Sequence, residues 1–167
     1  MYTSSMPAAF SDRYEDNYLR KILRDTKTIA MVGASANWNR PSYFAMKYLL
    51  DRGYKVIPVN PAAAGQEILG QKVYASLDEL PAKADMVDIF RNSEAAGPIT
   101  DEAIRHGARV VWMQLGVVNE AAAERAEKAG LKVVMNRCPK IEHSRLAGTI
   151  EWHGIASGVI SSKKRAL

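Results

Sequence analysis

Five short apolar runs of β-forming character recur along the chain, at residues 29–33, 54–59, 86–90, 109–114 and 131–135. Between them, apolar residues return at helical spacing over 41–52, over a short segment near 76–80, over 94–106 and over 119–129. Gly53, Gly107 and Gly130 stand where those helices would stop. Strands alternating with helices predict an α/β, Rossmann-like three-layer fold with a mainly parallel sheet of about five strands. The Gly97-Pro98 pair lies inside the third helical pattern, and proline fits best in a first turn, so that helix is expected to start later than residue 94. Ahead of the first strand, Ser11 can cap a helix running from about Asp12 to Arg24. Its acids, Asp12, Glu15 and Asp16, come early, and its bases, Arg20, Lys21 and Arg24, come late, as the helix dipole prefers. Tyr14, Tyr18, Leu19 and Ile22 would form the face laid across the sheet. Residues 1–10 read as a flexible N-terminus, 11–148 as a single nucleotide-binding domain, and 149–167 as a C-terminal tail.

Composition narrows this picture. A chain of 167 residues with 47% hydrophobic content suits one domain with an ordinary core. No apolar run approaches the roughly 18 residues that span a bilayer, and Met1 to Phe10 lacks the layout of a signal peptide, so a cytoplasmic protein with no membrane partner is expected. Cys138 is the sole cysteine, which excludes an internal disulfide and a cysteine-based metal cluster. No metal-ligand spacing is present. The net charge of +5 includes a basic group at Arg20, Lys21, Arg24 and Lys27 and another at Lys163, Lys164 and Arg165. Without a nucleic-acid motif these read as solvated surface, and no nucleic-acid partner is expected. A positive surface still favours the approach of a polyanion.

The stretch Thr28 to Ser42 carries the first candidate site. The run Ile29 to Val32 ends at Gly33, and Pro41 suits the first position of the following helix. A loop that ends on a helix N-terminus offers free N–H groups and the positive end of a dipole, hence a phosphate site. Gly33 and Ala34 allow close backbone approach, Ser35 can donate a hydroxyl, and Arg40 with Ser42 can clamp phosphoryl oxygens. Trp38 could stack on a base or seal the loop. The dinucleotide fingerprint G-x-G-x-x-G fails here, because Ser35 replaces the second glycine and no third glycine follows before the helix. After the second run, Asn60 and Pro61 occupy the place where an NAD site would want a carboxylate. A nucleotide fold without a standard NAD site is expected.

In an open parallel sheet, ligands bind beyond the carboxyl ends of the strands where the strand order reverses. That rule selects the loops 33–40, 60–65, 90–93, 113–117 and 136–140. Asn60 and Pro61 fit a tight bend, with Asn60 able to hydrogen-bond ribose or phosphate. Phe90 could pack on a base or an apolar arm, or belong to the core, while Arg91 could pair with phosphate or simply face water. Met113, Gln114 and Gly116 offer a thioether, an amide and a backbone N–H to a ligand arm, with core packing the alternative for Met113.

Six ordered blocks, GASANWNRPSY, KVIPVNP, GQKVYASLDELP, DMVDIFRNSEAA, VVWMQLGVVNEAA and NRCPK, together resemble the small bacterial CoA-binding proteins related to the N-terminal domain of the succinyl-CoA synthetase alpha subunit. The resemblance covers roughly residues 15–148. It implies coenzyme A or an acyl-CoA as the bound cofactor. In the related synthetases the bend after the second strand carries a basic residue for CoA, whereas Ala62, Ala63 and Ala64 follow it here, so Arg40 or Arg91 would supply the charge for the 3'-phosphate. The phosphohistidine domain of those synthetases would lie beyond the end of this chain, and no catalytic residue is assigned. His106 before Gly107 reads as a helix-terminal residue. Cys138 with His143 could in principle form a nucleophile pair, but no third orienting group is evident. The expectation is a stand-alone CoA-binding module. An acyl-CoA-using enzyme or subunit completed by a partner, and an NAD(H)-binding sensor, stand as alternatives. A protein partner or a homodimer is open.

Overall fold

The computed structural model describes residues 14–154, and in it a five-stranded sheet is built from β1 (Thr28–Val32), β2 (Lys55–Val59), β5 (Met86–Ile89), β6 (Val110–Met113) and β7 (Lys132–Val134). All of its pairings are parallel, in the order β2-β1-β5-β6-β7. A small antiparallel hairpin, β3 (Glu67–Ile68) with β4 (Gln71–Lys72), is one element the sequence pattern does not announce. Two-residue strands are too short to show a period. The chain runs outward from β1 to β2 and then returns to the other side of β1 as β5. The order therefore reverses between β1 and β5, which is the switch point of a doubly wound sheet.

Alternation along each strand divides the interior into two cores. Ile29, Met31, Met86, Val110, Trp112 and Val134 face one side, under α1 (Asp16–Asp25), α2 (Pro41–Asp51) and α5 (Pro139–Gly154). Ala30, Val32, Val87, Ile89, Val111 and Met113 face the other, under α3 (Ser93–His106) and α4 (Glu120–Lys128). The second face is covered largely by small residues, Ala96 and Ala103 of α3 with Ala122, Ala123 and Ala126 of α4, which let helix and sheet backbones approach closely.

Gly53, Gly107 and Gly130 do end helical segments, each with a positive φ of 96°, 89° and 93°. The third helix begins earlier than the proline suggests. Asn92 caps it by accepting a hydrogen bond from the Ala95 N–H at 2.8 Å, so the helix starts at Ser93 and Pro98 lies inside it on the exposed side. A strong cap and an exposed position allow a missing N–H to be tolerated, because water reaches the orphaned carbonyl.

α1 buries Leu19, Ile22 and Leu23 as well as the preceding Tyr14, while Tyr18 is half-buried. Ser11, expected to cap this helix, lies outside the described residues, and Glu15 occupies the cap position. The two tyrosines close the edge of the sheet. The Tyr18 hydroxyl donates to the Val133 carbonyl at 2.9 Å and accepts from its N–H at 3.1 Å, and the Tyr14 hydroxyl accepts from the Met135 N–H at 2.8 Å. Edge strands leave such groups open to other chains, and here two side chains satisfy them. Burial, chiefly, pushes the Tyr18 phenol up to about 12.

α5 was not visible in the sequence pattern, which gave a loop over 136–140 and a turn near His143. It docks on α1 and α2 through His143 and Leu146 and continues past residue 148, the end given to the domain by sequence. Gly148 and Gly154 and the lack of a clean apolar stripe hide it.

Candidate functional site

At the switch point the first two loops are tied to each other and to the end of β5. Gly33 adopts φ +92°, and a Cβ there would lie 2.5 Å from the Phe90 carbonyl oxygen and 3.0 Å from Cδ of Arg91. Only glycine fits at that position. The Gly33 N–H donates to the Val59 carbonyl at 2.8 Å, and the Phe90 N–H to the Val32 carbonyl at 2.8 Å, which extends the sheet ladder into the loops.

The loop between β1 and α2 is braced from within. The Ser35 N–H donates to Ser42 Oγ at 3.1 Å, the Asn37 N–H to Ser35 Oγ at 3.1 Å, and the Asn39 N–H to Asn37 Oδ1 at 2.9 Å. Ser42 is buried, so its hydroxyl shapes the loop rather than standing out as a clamp. Pro41 opens α2, and Arg40 at the cap position is exposed with no side-chain cap bond. Ala34 is buried, and its carbonyl accepts from Asn60 Nδ2 at 2.9 Å. Asn60 Oδ1 in turn accepts from the Ala62 N–H at 3.0 Å, capping the 3-10 turn Pro61–Ala63. One side chain therefore sets the distance between the first and second loops.

Across the switch, Phe90 is half-buried against the first core and Arg91 is exposed. Neither Arg40 nor Arg91 has an ion-pair partner among the described residues. Arg91 thus lies against Gly33, and Arg40 closes the same loop at the start of α2, so two guanidinium groups without ion-pair partners stand at the switch point, an arrangement suited to phosphoryl oxygens.

Residues 27–144 match the family described as CoA binding domain. The chain belongs to the CoA-binding domain family. It is similar to the uncharacterized protein YneT of Bacillus subtilis, at 38% identity over 126 residues that cover 75% of this chain and 92% of that protein. It is also similar to the alpha subunit of the ADP-forming acetate–CoA ligase I of Pyrococcus furiosus, at 32% identity over 67% of this chain. There the chain spans about a quarter of the relative, 27% of its length. A solved structure of a hypothetical protein from Pyrococcus horikoshii OT3 superposes with a TM-score of 0.77 and 43% identity, over 80% of this chain and 93% of that one.

The CoA-binding domain divides the remaining candidates. Met113, the last residue of β6, is fully buried in the second core, under α3 and α4. Gln114 is buried and turned inward, its Nε2 donating to Asp88 Oδ1 at 3.3 Å. Gly116 is exposed on the loop after β6, with φ +83° and its N–H bonded to Asn136 Oδ1 at 2.8 Å.

Sequence reading missed Asp88 and Asn136. Asp88 sits inside an apolar run, fully buried, with Oδ2 lacking a hydrogen-bond partner among the described residues. Burial raises its carboxyl from the ordinary 3.8 to about 8, opposed only in part by Gln114. A charged residue in the middle of MVDI was the available signal. Asn136 holds φ +59° and links the β6 and β7 loops, a role visible only once the strands are side by side.

His143 Nδ1 and the Tyr48 hydroxyl are hydrogen-bonded at 3.0 Å, and the imidazole lies edge-on between Tyr48 and Tyr54. Burial above all pushes the Cys138 thiol up, the Asp88 carboxyl adds to this, and the N–H groups of Ile141 and Lys140 oppose it. His106, at the end of α3, accepts from the Ala84 N–H through Nε2 at 2.9 Å. Among the described residues no group of histidine, cysteine and carboxylates could hold a metal, and no helix is long and apolar enough to cross a membrane. A cleft of about 190 Å3 lies at the opposite, amino edge of the sheet, where Lys21 pairs with Asp25 and Arg109 with Asp85. Lys132 also lines it, whereas the loops at the strand reversal lie at the other edge of the sheet.

Proposed function

We propose that this chain binds coenzyme A or an acyl-CoA in the cytoplasm, as a nucleotide-binding module without a catalytic apparatus of its own. The observation that carries this reading is the contact of Gly33 with Phe90 and Arg91 at the reversal of strand order, with Arg40 at the far end of the Gly33 loop. The diphosphate would meet the Gly33 to Ser42 loop, adenine would rest near Asn60, Pro61 and Phe90, and Arg40 or Arg91 would pair with the 3'-phosphate. The arm carrying the thiol would run along the carboxyl edge towards Gly116. Membership of the CoA-binding domain family supports the ligand.

A second reading has one observation in its favour. The matched ligase subunit is a far longer protein, so the same domain also occurs inside an enzyme, and this chain could act as a subunit completed by a partner.

Calorimetric titration with CoA, 3'-dephospho-CoA, NAD and NADP separates the cases. Binding of CoA that weakens without the 3'-phosphate is the expected result. Heat from NAD and none from CoA would overturn the ligand assignment and favour an NAD sensor. Turnover of acyl-CoA by the purified chain would favour the enzyme.

A further inference from the structure

Five large apolar side chains are exposed among the described residues: Trp38, Phe44, Leu115, Val118 and Ile141, at 65%, 50%, 56%, 40% and 48%. Exposed apolar residues scattered singly mean little. These are not scattered. Trp38 lies in the loop after β1, Phe44 in the first turn of α2, Leu115 and Val118 in the loop after β6, and Ile141 in the first turn of α5. Every one of them is therefore at the carboxyl edge, the edge that carries the switch point.

The part around Leu115 and Val118 is held rigidly. The Val118 N–H donates to Ser93 Oγ at 2.9 Å, and the Gly116 N–H to Asn136 Oδ1 at 2.8 Å. The Val117 N–H donates to the Gln114 carbonyl at 2.8 Å, and the Asn136 N–H to the Val117 carbonyl at 3.2 Å. Leu115 is thus exposed on an ordered loop, so a ligand that covers it meets a surface already in place, with little further ordering to pay for.

Charge changes along the same edge. Arg40 and Arg91 stand at the β1 and β5 end, whereas every residue from Val110 to Asn119 is uncharged, and on the adjoining loop after β7 the Arg137 guanidinium is turned to the Asn136 carbonyl and the Tyr14 ring and the Lys140 ammonium to the Tyr48 ring. Neighbouring strands are about 4.8 Å apart, so β6 lies roughly 10 Å and β7 roughly 14 Å from β1. A ligand that fits is anionic at one end, has an arm of that reach, and is apolar at the other end.

We propose that Leu115 and Val118 form an acyl ledge, and that the ligand of this domain is a CoA thioester of an uncharged, apolar acyl group of several carbons. This rests on the reading of the switch point as the CoA site. It sets the domain against free CoA, against an acetyl group too small to cover the ledge, and against dicarboxylic acyl groups such as succinyl. The carboxylate of a succinyl group would lose its water against an uncharged loop.

The test is a titration of the full chain with CoA, acetyl-CoA, hexanoyl-CoA and succinyl-CoA, repeated on Leu115→Ser and on the Leu115→Ser, Val118→Ser double variant. Sedimentation of each protein is measured alongside. Each fully buried methylene is worth roughly fourfold in affinity, so even partial covering of the chain makes hexanoyl-CoA at least about tenfold tighter than acetyl-CoA. The double variant should lose that gain while keeping its affinity for CoA and its thermal midpoint, since both side chains are exposed. Equal affinities for the four ligands, or a preference for succinyl-CoA, would overturn the acyl ledge and leave the CoA site standing. No binding of any of them would instead overturn the site reading. A dimer dispersed by the substitutions, with no acyl effect, would make the patch an interface between copies and refute the proposal.

Discussion

Gly33 and Arg91 touch across the point where the sheet reverses its strand order: the arginine's Cδ is 3.0 Å from where a Cβ on the glycine would stand. The Phe90 carbonyl oxygen is nearer still, at 2.5 Å, and it belongs to backbone that cannot swing aside. Gly33→Ala should therefore destabilise the fold by about 2 kcal/mol or more, from the positive φ and the clash together. It should also displace Arg91 and weaken CoA binding by at least about tenfold. Denaturant unfolding and calorimetry on the same variant check both, and an unchanged midpoint would contradict the contact.

Arg40 and Arg91 are exposed and without ion-pair partners among the described residues, so each can be removed with little structural consequence. Arg40→Ala and Arg91→Ala should each change stability by no more than about 0.5 kcal/mol. Loss of a charge-assisted bond to phosphate should reduce CoA affinity by roughly tenfold. Titration with 3'-dephospho-CoA assigns the roles: the arginine that meets the 3'-phosphate should show no further loss with that ligand.

Asn60 joins the loops after β1 and β2 through Ala34 and Ala62. Asn60→Ala removes both bonds and should lower stability by about 1–2 kcal/mol. Asn60→Asp retains the acceptor for the Ala62 N–H, loses the donor to Ala34, and places a negative charge beside the expected phosphates. It should be the more stable of the two variants and the weaker binder of CoA, a reversal of order that thermal melts and titrations would reveal together.

Asp88 makes stability depend on pH in a direction opposite to most carboxylates. Its folded value, raised by burial to about 8 from an ordinary 3.8, means that the folded chain holds a proton that the unfolded chain releases. The associated stability is fully present below the unfolded value. It declines as pH rises from near 4 to about 8, with a slope of up to about 1.4 kcal/mol per pH unit. Asp88→Asn keeps the size and the polar contact to Gln114 but cannot ionise. It should flatten this slope and raise stability at pH 7, and unfolding curves at pH 5, 6, 7 and 8 on both proteins measure the difference.

The five parallel strands, four of the helical segments and the glycine stops were legible because each rests on local information: a run of β-formers, a helical period, or a residue that tolerates positive φ. The loops of the carboxyl edge followed from a topological rule applied to those runs. Family membership was legible because six blocks of sequence keep their order. The contact of Gly33 with Arg91 was not, since 58 positions separate them and only the pairing of β1 with β5 brings them together. For the same reason Ser42 read as a clamp and Met113 stood open between ligand arm and core, whereas the fold bonds Ser42 into the loop and buries Met113 in the core. α5 escaped notice because its helicity depends on α1 and α2, against which His143 and Leu146 are buried. Sequence by itself determined which segments are strands and where their polar ends lie. Tertiary structure alone decided which of those ends meet, because burial and hydrogen bonding across the sheet depend on partners far away in the chain.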